Sequence, residues 1–361
     1  MRRILFLFVL LFVFNAEALD KASAFLRQVE KIHAEHGMRL KTLRGDLILG
    51  PILDVGQDAE GWNYSNNACE AALLGEAVRK GWEAGGHFLV APKHFPGLGA
   101  RKIDTHDDIE IYDTSPQSPD LIPFRYTIQK GAKAIVMGHG LYPNFEKNPK
   151  AAVPASFSSG VIGFLRNKET GLGFDGLVIV DDVLMGAVVK FYSQKGEEIS
   201  DIASFAARRV VESVKAGADL VMVFYWRLNK EILDKTTAAF AAEIQKEATV
   251  AQRLDASVKR ILKAKNSSVP LEKMSLKQKV SQILFLWHSD NPNDNPVQEI
   301  GAFRFGTHEG RKAWSEKSVI PTFVAIDQRK GYAPGSGKTL IKPQILGIEF
   351  KKALNGKDAC L

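Results

Sequence analysis

The amino-acid sequence predicts an α/β fold in which eight parallel strands close into a (β/α)8 barrel. Short apolar segments alternate with longer helical patterns along most of the chain, and this alternation is typical of a parallel sheet with right-handed crossovers. The apolar segments are nearly continuous, as expected for strands that are buried on both faces. Several of them also end in polar residues, which would converge on one rim of a parallel barrel.

Eight segments fit this description of a buried strand, and four longer patterns fit helices. The predicted strands are Leu47–Val55, His87–His94, Ala134–Gly138, Leu177–Asp181, Asp219–Phe224, Ile283–Trp287, Ala302–Phe305 and Thr322–Asp327. The predicted helices are Ser23–Leu43, Asn67–Ala84, Ile202–Lys215 and Ala238–Lys265. Eight strands with helices between them favour a closed barrel over an open sheet.

Five of the predicted strands end in residues that can take part in chemistry. These residues are Asp54, Lys93 and His94, His139, Asp181 and Asp182, and Asp327. For a single residue of this kind, a helix cap or a loop hydrogen bond would be a sufficient explanation. Five such strand ends are harder to explain by capping, and they predict a site at the carboxyl rim of the barrel.

Composition narrows the class of protein. The 361 residues suffice for one large domain or two small ones, and 45% hydrophobic and 25% charged residues are ordinary for a soluble globular protein. The net charge of +7 is spread along the chain without a basic, aromatic-rich block, so nucleic-acid binding is not expected. Two cysteines, Cys69 and Cys360, are too few for a disulfide framework or a zinc cluster. They could pair in an oxidising compartment or remain two separate thiols.

The first 18 residues have the layout of a secretory signal peptide. Arg2 and Arg3 precede the unbroken apolar run Ile4–Phe14, and the small-residue pattern Ala16-Glu17-Ala18 follows. Because the run is too short to span a bilayer as a mature helix, we expect an exported protein, periplasmic or secreted, without stable membrane insertion after cleavage. The alternative is an uncleaved anchor.

The most specific stretch is Lys93-His94-Phe95-Pro96-Gly97-Leu98-Gly99, followed by Asp104-Thr105-His106. It resembles the family 3 glycoside hydrolases, in particular their β-N-acetylhexosaminidase branch, whose pattern is K-H-F-P-G-H-G followed by D-S-H. The spacing from the lysine to the aspartate is the same. The resemblance implies a barrel fold and hydrolysis of a β-linked sugar.

The resemblance extends over most of the chain, but its segments come in an unusual order. Segments similar to the later family strands and their last helix are Gly50–Val55, Gly131–Tyr142, Leu165–Met185, Lys215–Phe224 and Arg253–Lys265. Segments similar to the first three family strands are Leu276–Phe285, Ile300–Phe305 and Pro321–Gly331. Pro343–Leu354 resembles the start of the helix that Ser23–Leu43 continues.

This order implies a circular permutation. Residues 1–18 would be the signal peptide and residues 19–361 a single barrel, with family strands 4–8 in 19–265 and family strands 1–3 in 276–361. Residues 266–275 would be the linker that joins the original termini. Permutation is tolerated where native chain ends lie close together on the surface. The alternative is that residues 266–361 form a separate partial module.

The resemblance assigns three catalytic roles. Asp181 is expected to be the nucleophile that traps the oxocarbenium-like anomeric carbon, and Asp182 to orient the site or make a structural hydrogen bond. His106 is expected to protonate the leaving oxygen, while Asp104 fixes the imidazole tautomer and stabilises the imidazolium. The anomeric configuration would be retained. Neither a metal nor an organic cofactor is implied, and we expect a monomer whose partner is a glycan.

Six other residues are candidates for substrate binding. Lys93, His94 and Asp327 match family positions that hydrogen-bond sugar hydroxyls, although an ion pair, a core histidine and a turn cap are the respective structural alternatives. Asp54 and His139 are weaker candidates that could brace the loops around the site. Trp62 could stack on a sugar face or pack under a loop.

The chain departs from the family pattern where the sugar should bind. The motif D-Q-E-G-G-R-V-x-R becomes Asp327-Gln328-Arg329-Lys330-Gly331-Tyr332-Ala333-Pro334-Gly335, and the G-E-R-S-Y-like segment becomes Glu60-Gly61-Trp62-Asn63-Tyr64. Two arginines are thereby lost, and Leu98 replaces the second histidine of K-H-F-P-G-H-G. The main hypothesis is an exported retaining exo-β-N-acetylhexosaminidase-like hydrolase acting on peptidoglycan-derived or other N-acetylhexosamine glycans. The alternative is a weak or inactive sugar-binding barrel.

Overall fold

A computed structural model of the chain describes residues 2–41, 46–56, 61–99, 101–224, 229–288, 302–305, 323–327 and 342–354. The strands are β1 Leu47–Ile52, β2 Leu89–Lys93, β3 Ala134–Met137, β4 Leu177–Val180, β5 Leu220–Val223, β6 Leu284–His288, β7 Ala302–Phe305 and β8 Phe323–Asp327. Every predicted strand is present. The observed bounds differ from the predicted ones by at most three residues: β1 ends three residues early, β6 extends one residue further to His288, and β7 agrees at both ends.

The helices are α1 Arg2–Lys41, α2 Ala68–Gly86, α3 Ile122–Gln129, α4 Ser159–Arg166, α5 Gly186–Gln194, α6 Ile202–Ala216, α7 Asn229–Lys246, α8 Thr249–Ala264, α9 Leu276–Ile283 and α10 Pro343–Ala353. α1 continues without a break from Arg2, so it begins well before the predicted Ser23. None of the helices in the described ranges offers an apolar stretch long enough to cross a membrane.

The eight strands form one parallel sheet that closes on itself. Their order is β2-β1-β8-β7-β6-β5-β4-β3, and all seven ladders are parallel. A parallel bridge between Phe95, just after β2, and Met137 of β3 joins the two outer strands of this order. The predicted α/β barrel is therefore confirmed. Each strand neighbours the next along the chain and β8 neighbours β1, so the order has no privileged starting strand.

The three C-terminal strands belong to the same sheet as the first five. β6 pairs with β5 from the Val221–Leu284 register position onward, and β8 pairs with β1 through Leu49 and Asp327. A hydrophobic core made of residues from both parts of the chain fills the barrel. β6, β7 and β8 are thus strands of the same sheet as β1 to β5.

One helix prediction is wrong. The pattern Ala238–Lys265 was interpreted as a single helix, but the chain forms α7 and α8 with a break at Glu247 and Ala248. At the break the amide of Val250 donates to the carbonyl of Glu247, three residues back, in place of the usual four. The hydroxyl of Thr249 also donates to the carboxylate of Glu247, and this local bond competes with the helical pattern.

A buried carboxylate ties the amino end of the barrel together. Asp219 directly precedes β5 and is fully buried. Its two carboxylate oxygens lie 2.5 Å from Arg166 Nη2 and 2.6 Å from Arg260 Nη1, and it accepts the amide of Val178 at the start of β4. Because this rim is opposite the polar strand ends, we interpret the cluster as structural.

The N-terminal and C-terminal helices pack side by side against α2. A Cβ at Gly85 of α2 would lie 1.9 Å from the carbonyl oxygen of Ala34 in α1, so glycine permits this close approach. The rings of Phe25 in α1 and Phe350 in α10 are 5.8 Å apart. In α2, Cys69 is disulfide-bonded. The other cysteine of the sequence, Cys360, lies outside the described residues.

Candidate active site

The barrel brings the predicted polar residues to its carboxyl rim. Asp54 lies two residues beyond β1, Lys93 ends β2, His139 lies two residues beyond β3, and Asp181 directly follows β4. All four residues are at least nine-tenths buried. Asp327 ends β8 at the same rim, but its side chain lies outside what the structure describes.

Asp54 and Asp181 are connected through His94. Asp54 Oδ2 lies 2.8 Å from His94 Nδ1, and Oδ1 accepts the amides of His94 at 3.2 Å and of Leu98 at 2.9 Å. The other ring nitrogen of His94, Nε2, lies 3.8 Å from Asp181 Oδ2. Burial alone would raise the pKa of Asp54, but His94 and the two amides hold it below its usual value. Asp54 is thus an anion that orients His94 toward Asp181.

Asp181 and Asp182 have different surroundings. Asp181 Oδ1 accepts the amide of Asp182 at 2.9 Å. Asp182 Oδ1 accepts the amides of Leu184 and Phe224, each at 3.1 Å, which links the loop after β4 to the residue that follows β5. Burial raises the pKa of Asp182 to about 6, against the opposing effect of these two amides. Asp182 therefore makes the structural hydrogen bonds proposed for it, and Asp181 is the carboxylate that lies next to His94.

His139 braces the rim from behind. Its Nε2 lies 2.9 Å from the carbonyl oxygen of Asp182, and its Nδ1 lies 2.9 Å from the hydroxyl of Ser156. Burial lowers the pKa of His139 to about 4, although the charge of Asp181 opposes the shift. The neutral imidazole donates from Nε2 to the Asp182 carbonyl. Nothing in the sequence around Ser156 predicts its hydrogen bond to His139.

Asp104 and His106 form a hydrogen-bonded pair on a loop over the rim. His106 Nδ1 lies 2.7 Å from Asp104 Oδ1, and the amide of His106 donates to the same oxygen at 2.9 Å. Burial would raise the pKa of Asp104, but the amide and ring of His106 lower it below its usual value, with a smaller effect from Arg101. The His106 side chain is 44% exposed, so the ring is accessible from solvent.

The loop that carries this pair is held on the segment that follows Asp181. The amides of Gly186 and Ala187, at the start of α5, donate to the carbonyls of His106 and Thr105, each at 3.1 Å. These amides begin a helix and have no partner within it, so the loop satisfies them. A Cβ at Gly186 would lie only 2.2 Å from the His106 carbonyl oxygen. Sequence reasoning missed Gly186.

Glu110 anchors the other side of the same loop. Its carboxylate accepts the amides of Lys102 at 3.0 Å and Ile103 at 3.3 Å, together with the hydroxyl of Tyr112 at 3.1 Å. The backbone that leads into Asp104 is therefore held to Glu110 by two amides, and the Tyr112 hydroxyl donates to the same carboxylate. Glu110 could not be predicted from the sequence either, because a single charged residue in a loop carries no periodic signal.

A small cleft opens beside His94. It is lined by Ile52, Asp54, Trp62, Asn63, His94, Leu98, Gly99 and Arg101. The guanidinium carbon of Arg101 lies 5.4 Å from the centre of the Trp62 ring, so the indole stacks with a cation from the loop that carries Asp104 and His106, called the dyad loop below. No group of three or more His, Cys, Asp and Glu side chains in the described part of the chain is arranged to hold a metal ion.

Enzymes built on a parallel (β/α)8 barrel have their active sites at the carboxyl rim, where this chain gathers Asp54, Asp181, His94 and His139. The comparison with protein families makes the assignment specific: residues 15–264 match the N-terminal domain of glycosyl hydrolase family 3. The chain belongs to this family.

Individual relatives are β-hexosaminidases. The chain is 36% identical over 150 residues to the β-hexosaminidase of Xylella fastidiosa strain 9a5c, a match that covers 40% of this chain and 42% of the relative. It is 31% identical over 194 residues to that of Stenotrophomonas maltophilia strain R551-3, covering 52% of each chain. The chain thus spans about half the length of the curated relatives it matches.

Two solved structures of similar fold are those of a β-N-acetylhexosaminidase and a β-N-acetylglucosaminidase. The β-N-acetylhexosaminidase of Beutenbergia cavernae superimposes with a TM-score of 0.56 at 25% identity, over 69% of this chain and 71% of that one. A family 3 β-N-acetylglucosaminidase from Paenibacillus sp. str. FPU-7 gives a TM-score of 0.56 at 22% identity, over 86% of this chain and 62% of that one. The second likeness supports the fold alone.

Proposed function

We propose that this chain is a retaining exo-β-N-acetylhexosaminidase-like glycoside hydrolase. Family membership and the similarity to β-hexosaminidases support the reaction class. The observation that carries the proposal is the Asp104–His106 pair, hydrogen-bonded at 2.7 Å and held through Gly186 on the segment that follows Asp181. A nucleophile and a proton donor would then face one sugar from the same rim.

In the first step, Asp181 attacks the anomeric carbon and a covalent glycosyl ester forms as the glycosidic C–O bond breaks. His106 gives a proton to the departing oxygen, and Asp104 stabilises the imidazolium by accepting its Nδ1–H. In the second step, His106 takes a proton from water, which attacks the anomeric carbon and releases Asp181. Two displacements at one carbon leave the anomeric configuration unchanged.

The surrounding residues would position the sugar. In this proposal Lys93, His94 and Asp327 hydrogen-bond its hydroxyls, while Asp54 and His139 act through neighbours. The geometry supports this division for Asp54, because its carboxylate is already occupied by His94 and two amides.

We further propose that the substrate is an N-acetylhexosamine glycan, with peptidoglycan fragments first and chitin-type or exopolysaccharide hexosamines next. The protein would be a monomer exported after removal of residues 1–18, periplasmic or secreted. Mass spectrometry of the protein recovered from its native compartment tests export, and a mass that includes residues 1–18 would contradict the cleavage.

We also propose that the barrel is a circular permutation of the family order. The support is the order of the family-like segments along the sequence, together with the packing of α10 and α1 against each other and against α2. A gene reopened within residues 266–275, with the present ends joined by a short linker, should then encode a folded barrel of equal activity. Failure of that protein to fold, under conditions in which the chain in its present order folds, would contradict the permutation.

Hydrolysis of p-nitrophenyl β-N-acetylglucosaminide and of muropeptides tests the proposed function. We expect Asp181→Ala to abolish turnover, whereas the matched control Asp175→Ala, an exposed residue before β4, should be unchanged. His106→Ala should be reactivated by added azide or formate. A small anion can attack the glycosyl ester directly, and it does not need the imidazole to take a proton from it as water does. Wild-type protein that releases no more product than Asp181→Ala would exclude the enzyme and leave a sugar-binding barrel.

A further inference from the structure

The wall of the cleft next to His94 differs from the family pattern at one position. Aligning G-E-R-S-Y with Glu60-Gly61-Trp62-Asn63-Tyr64 puts Trp62 where the pattern has arginine. An indole cannot replace the forked donors of a guanidinium. The cleft nevertheless contains a guanidinium, because Arg101 reaches it from the loop that carries Asp104 and His106.

Arg101 lies directly over the residue that replaced the arginine. Its guanidinium carbon is 5.4 Å from the centre of the Trp62 ring, and both side chains line the cleft together with Asp54 and His94. A guanidinium over an aromatic face is held in place by the ring's negative π surface while its N–H groups stay available at the edges.

The backbone around Arg101 is fixed to the site. The amide of Arg101 donates to the carbonyl of Leu98 at 3.1 Å, and the amide of Leu98 donates to Asp54 Oδ1 at 2.9 Å. Close backbone contact adds to this anchoring, since a Cβ at Gly99 would lie 1.6 Å from the carbonyl oxygen of Val55. The position of Arg101 is therefore coupled to the carboxylate that orients His94.

The donors of Arg101 have no protein acceptor in the described residues. Its side chain makes no hydrogen bond and no ion pair with any of them, and its guanidinium lies over the Trp62 ring. Its charge is felt at Asp104, whose pKa it helps to lower. A half-buried guanidinium with unused donors, in a cleft that Asp54 and His94 also line, is suited to bind oxygen atoms of a ligand.

We propose that Arg101 is a substrate-binding residue that supplies, from the dyad loop, the guanidinium that the family pattern places at position 62. It would donate to hydroxyl or amide oxygens of an N-acetylhexosamine bound in the cleft. This inference rests on the proposed function for its ligand. Because Arg101 and His106 share one loop, the sugar contact would also hold the proton donor over the glycosidic bond.

The test compares Arg101→Gln with Lys102→Gln, a matched control on the next, exposed residue of the same loop. Binding of N-acetylglucosamine is measured by titration calorimetry, and KM and kcat are measured with p-nitrophenyl β-N-acetylglucosaminide. A lost charge-assisted hydrogen bond corresponds to about a 10- to 100-fold change in an equilibrium constant. We expect Arg101→Gln to weaken binding and raise KM by this factor, and Lys102→Gln to match the wild type.

A second variant restores the family arrangement. Arg101→Ala should bind sugar as weakly as Arg101→Gln, and adding Trp62→Arg to it should recover most of the lost affinity, because the guanidinium returns from the opposite wall. A purely structural role in the loop would not be rescued in this way. Thermal melting of each variant confirms that the fold is intact.

Three outcomes would overturn the inference: equal sugar affinity of Arg101→Gln and wild type, equal losses in Arg101→Gln and Lys102→Gln, or no sugar binding by the wild type. The proposed function is tested by a different outcome of the same experiments. Wild-type protein that binds N-acetylglucosamine through Arg101 but hydrolyses no hexosaminide would support this inference and contradict the enzyme.

Discussion

Replacement of Asp54 by asparagine separates its charge from its hydrogen bonds. Asp54 Oδ1 accepts two backbone amides, which an asparagine oxygen can also accept, while Oδ2 faces His94 Nδ1 at 2.8 Å. In Asp54→Asn an NH2 group occupies the place of Oδ2. The proton of His94 must then move from Nδ1 to Nε2, the nitrogen that lies 3.8 Å from Asp181. The variant thus removes one charge-assisted bond and changes one tautomer.

The expected magnitudes follow from these contacts. One charge-assisted hydrogen bond contributes about 1.5–3 kcal/mol, so Asp54→Asn should lower the free energy of unfolding by about that amount. Asp54→Ala should cost more, roughly 3–5 kcal/mol, because the two backbone amides and His94 all lose their acceptor. If orientation of His94 contributes similarly in the transition state, kcat/KM of Asp54→Asn should fall by about 10- to 100-fold.

The stability difference should depend on pH in a defined direction. Since the native pKa of Asp54 lies below its usual value, its stabilising effect is complete above the unfolded-state pKa of about 3.9 and is lost as the pH falls through the native pKa. The difference between wild type and Asp54→Asn should therefore be constant from about pH 8 to pH 5 and shrink below about pH 4.

Urea unfolding followed by tryptophan fluorescence measures the free energies, with the exposed Asp175→Asn as control. Hydrolysis of p-nitrophenyl β-N-acetylglucosaminide measures kcat/KM. Unchanged stability and unchanged kcat/KM in Asp54→Asn would refute the role given to Asp54. A stability difference that grows on acidification would refute the direction of its pKa shift.

Two further variants test the loop and the opposite rim. Gly186→Ala should displace the His106 carbonyl oxygen, which would lie 2.2 Å from the new Cβ. We expect kcat to fall about a hundredfold with little change in KM. The control Gly163→Ala, whose Cβ meets nothing within 4 Å, should be neutral in the same assay. Equal kcat values for these two variants would contradict the docking of the loop. Asp219→Ala leaves two arginines without their buried partner and should lower the free energy of unfolding by about 3–5 kcal/mol at unchanged kcat/KM, as judged by urea titration and turnover at 25 °C; a loss of turnover in the folded protein would contradict its structural role.

The barrel could be predicted because its signals are local. A strand that is buried on both faces is largely apolar over consecutive residues, and the eight strands carry such runs in their own sequences, with Arg304 interrupting the run in β7. The polar residues after β1, β2 and β4 could be placed on one rim because parallel strands have a common direction. The K-H-F-P-G motif and the D-T-H that follows it then suggested the dyad through a family resemblance.

Other features depend on contacts that the pattern of residue types along the chain does not encode. The single helix predicted for residues 238–265 is interrupted by hydrogen bonds of Glu247 that no periodicity encodes. Gly186 and Glu110 hold the dyad loop only because the fold brings them to it, and both look like ordinary loop residues in the sequence.

The sequence by itself determined the barrel, the rim to which the carboxylates and histidines belong, and the family, since each depends on residue type and spacing along the chain. Only the tertiary structure decided which of these groups touch. It joined Asp54 to Asp181 through His94, placed the Asp104–His106 pair on the start of α5, and set Arg101 over Trp62. Such pairings depend on where loops meet in space, and a linear order of residues does not specify the distance between two loops.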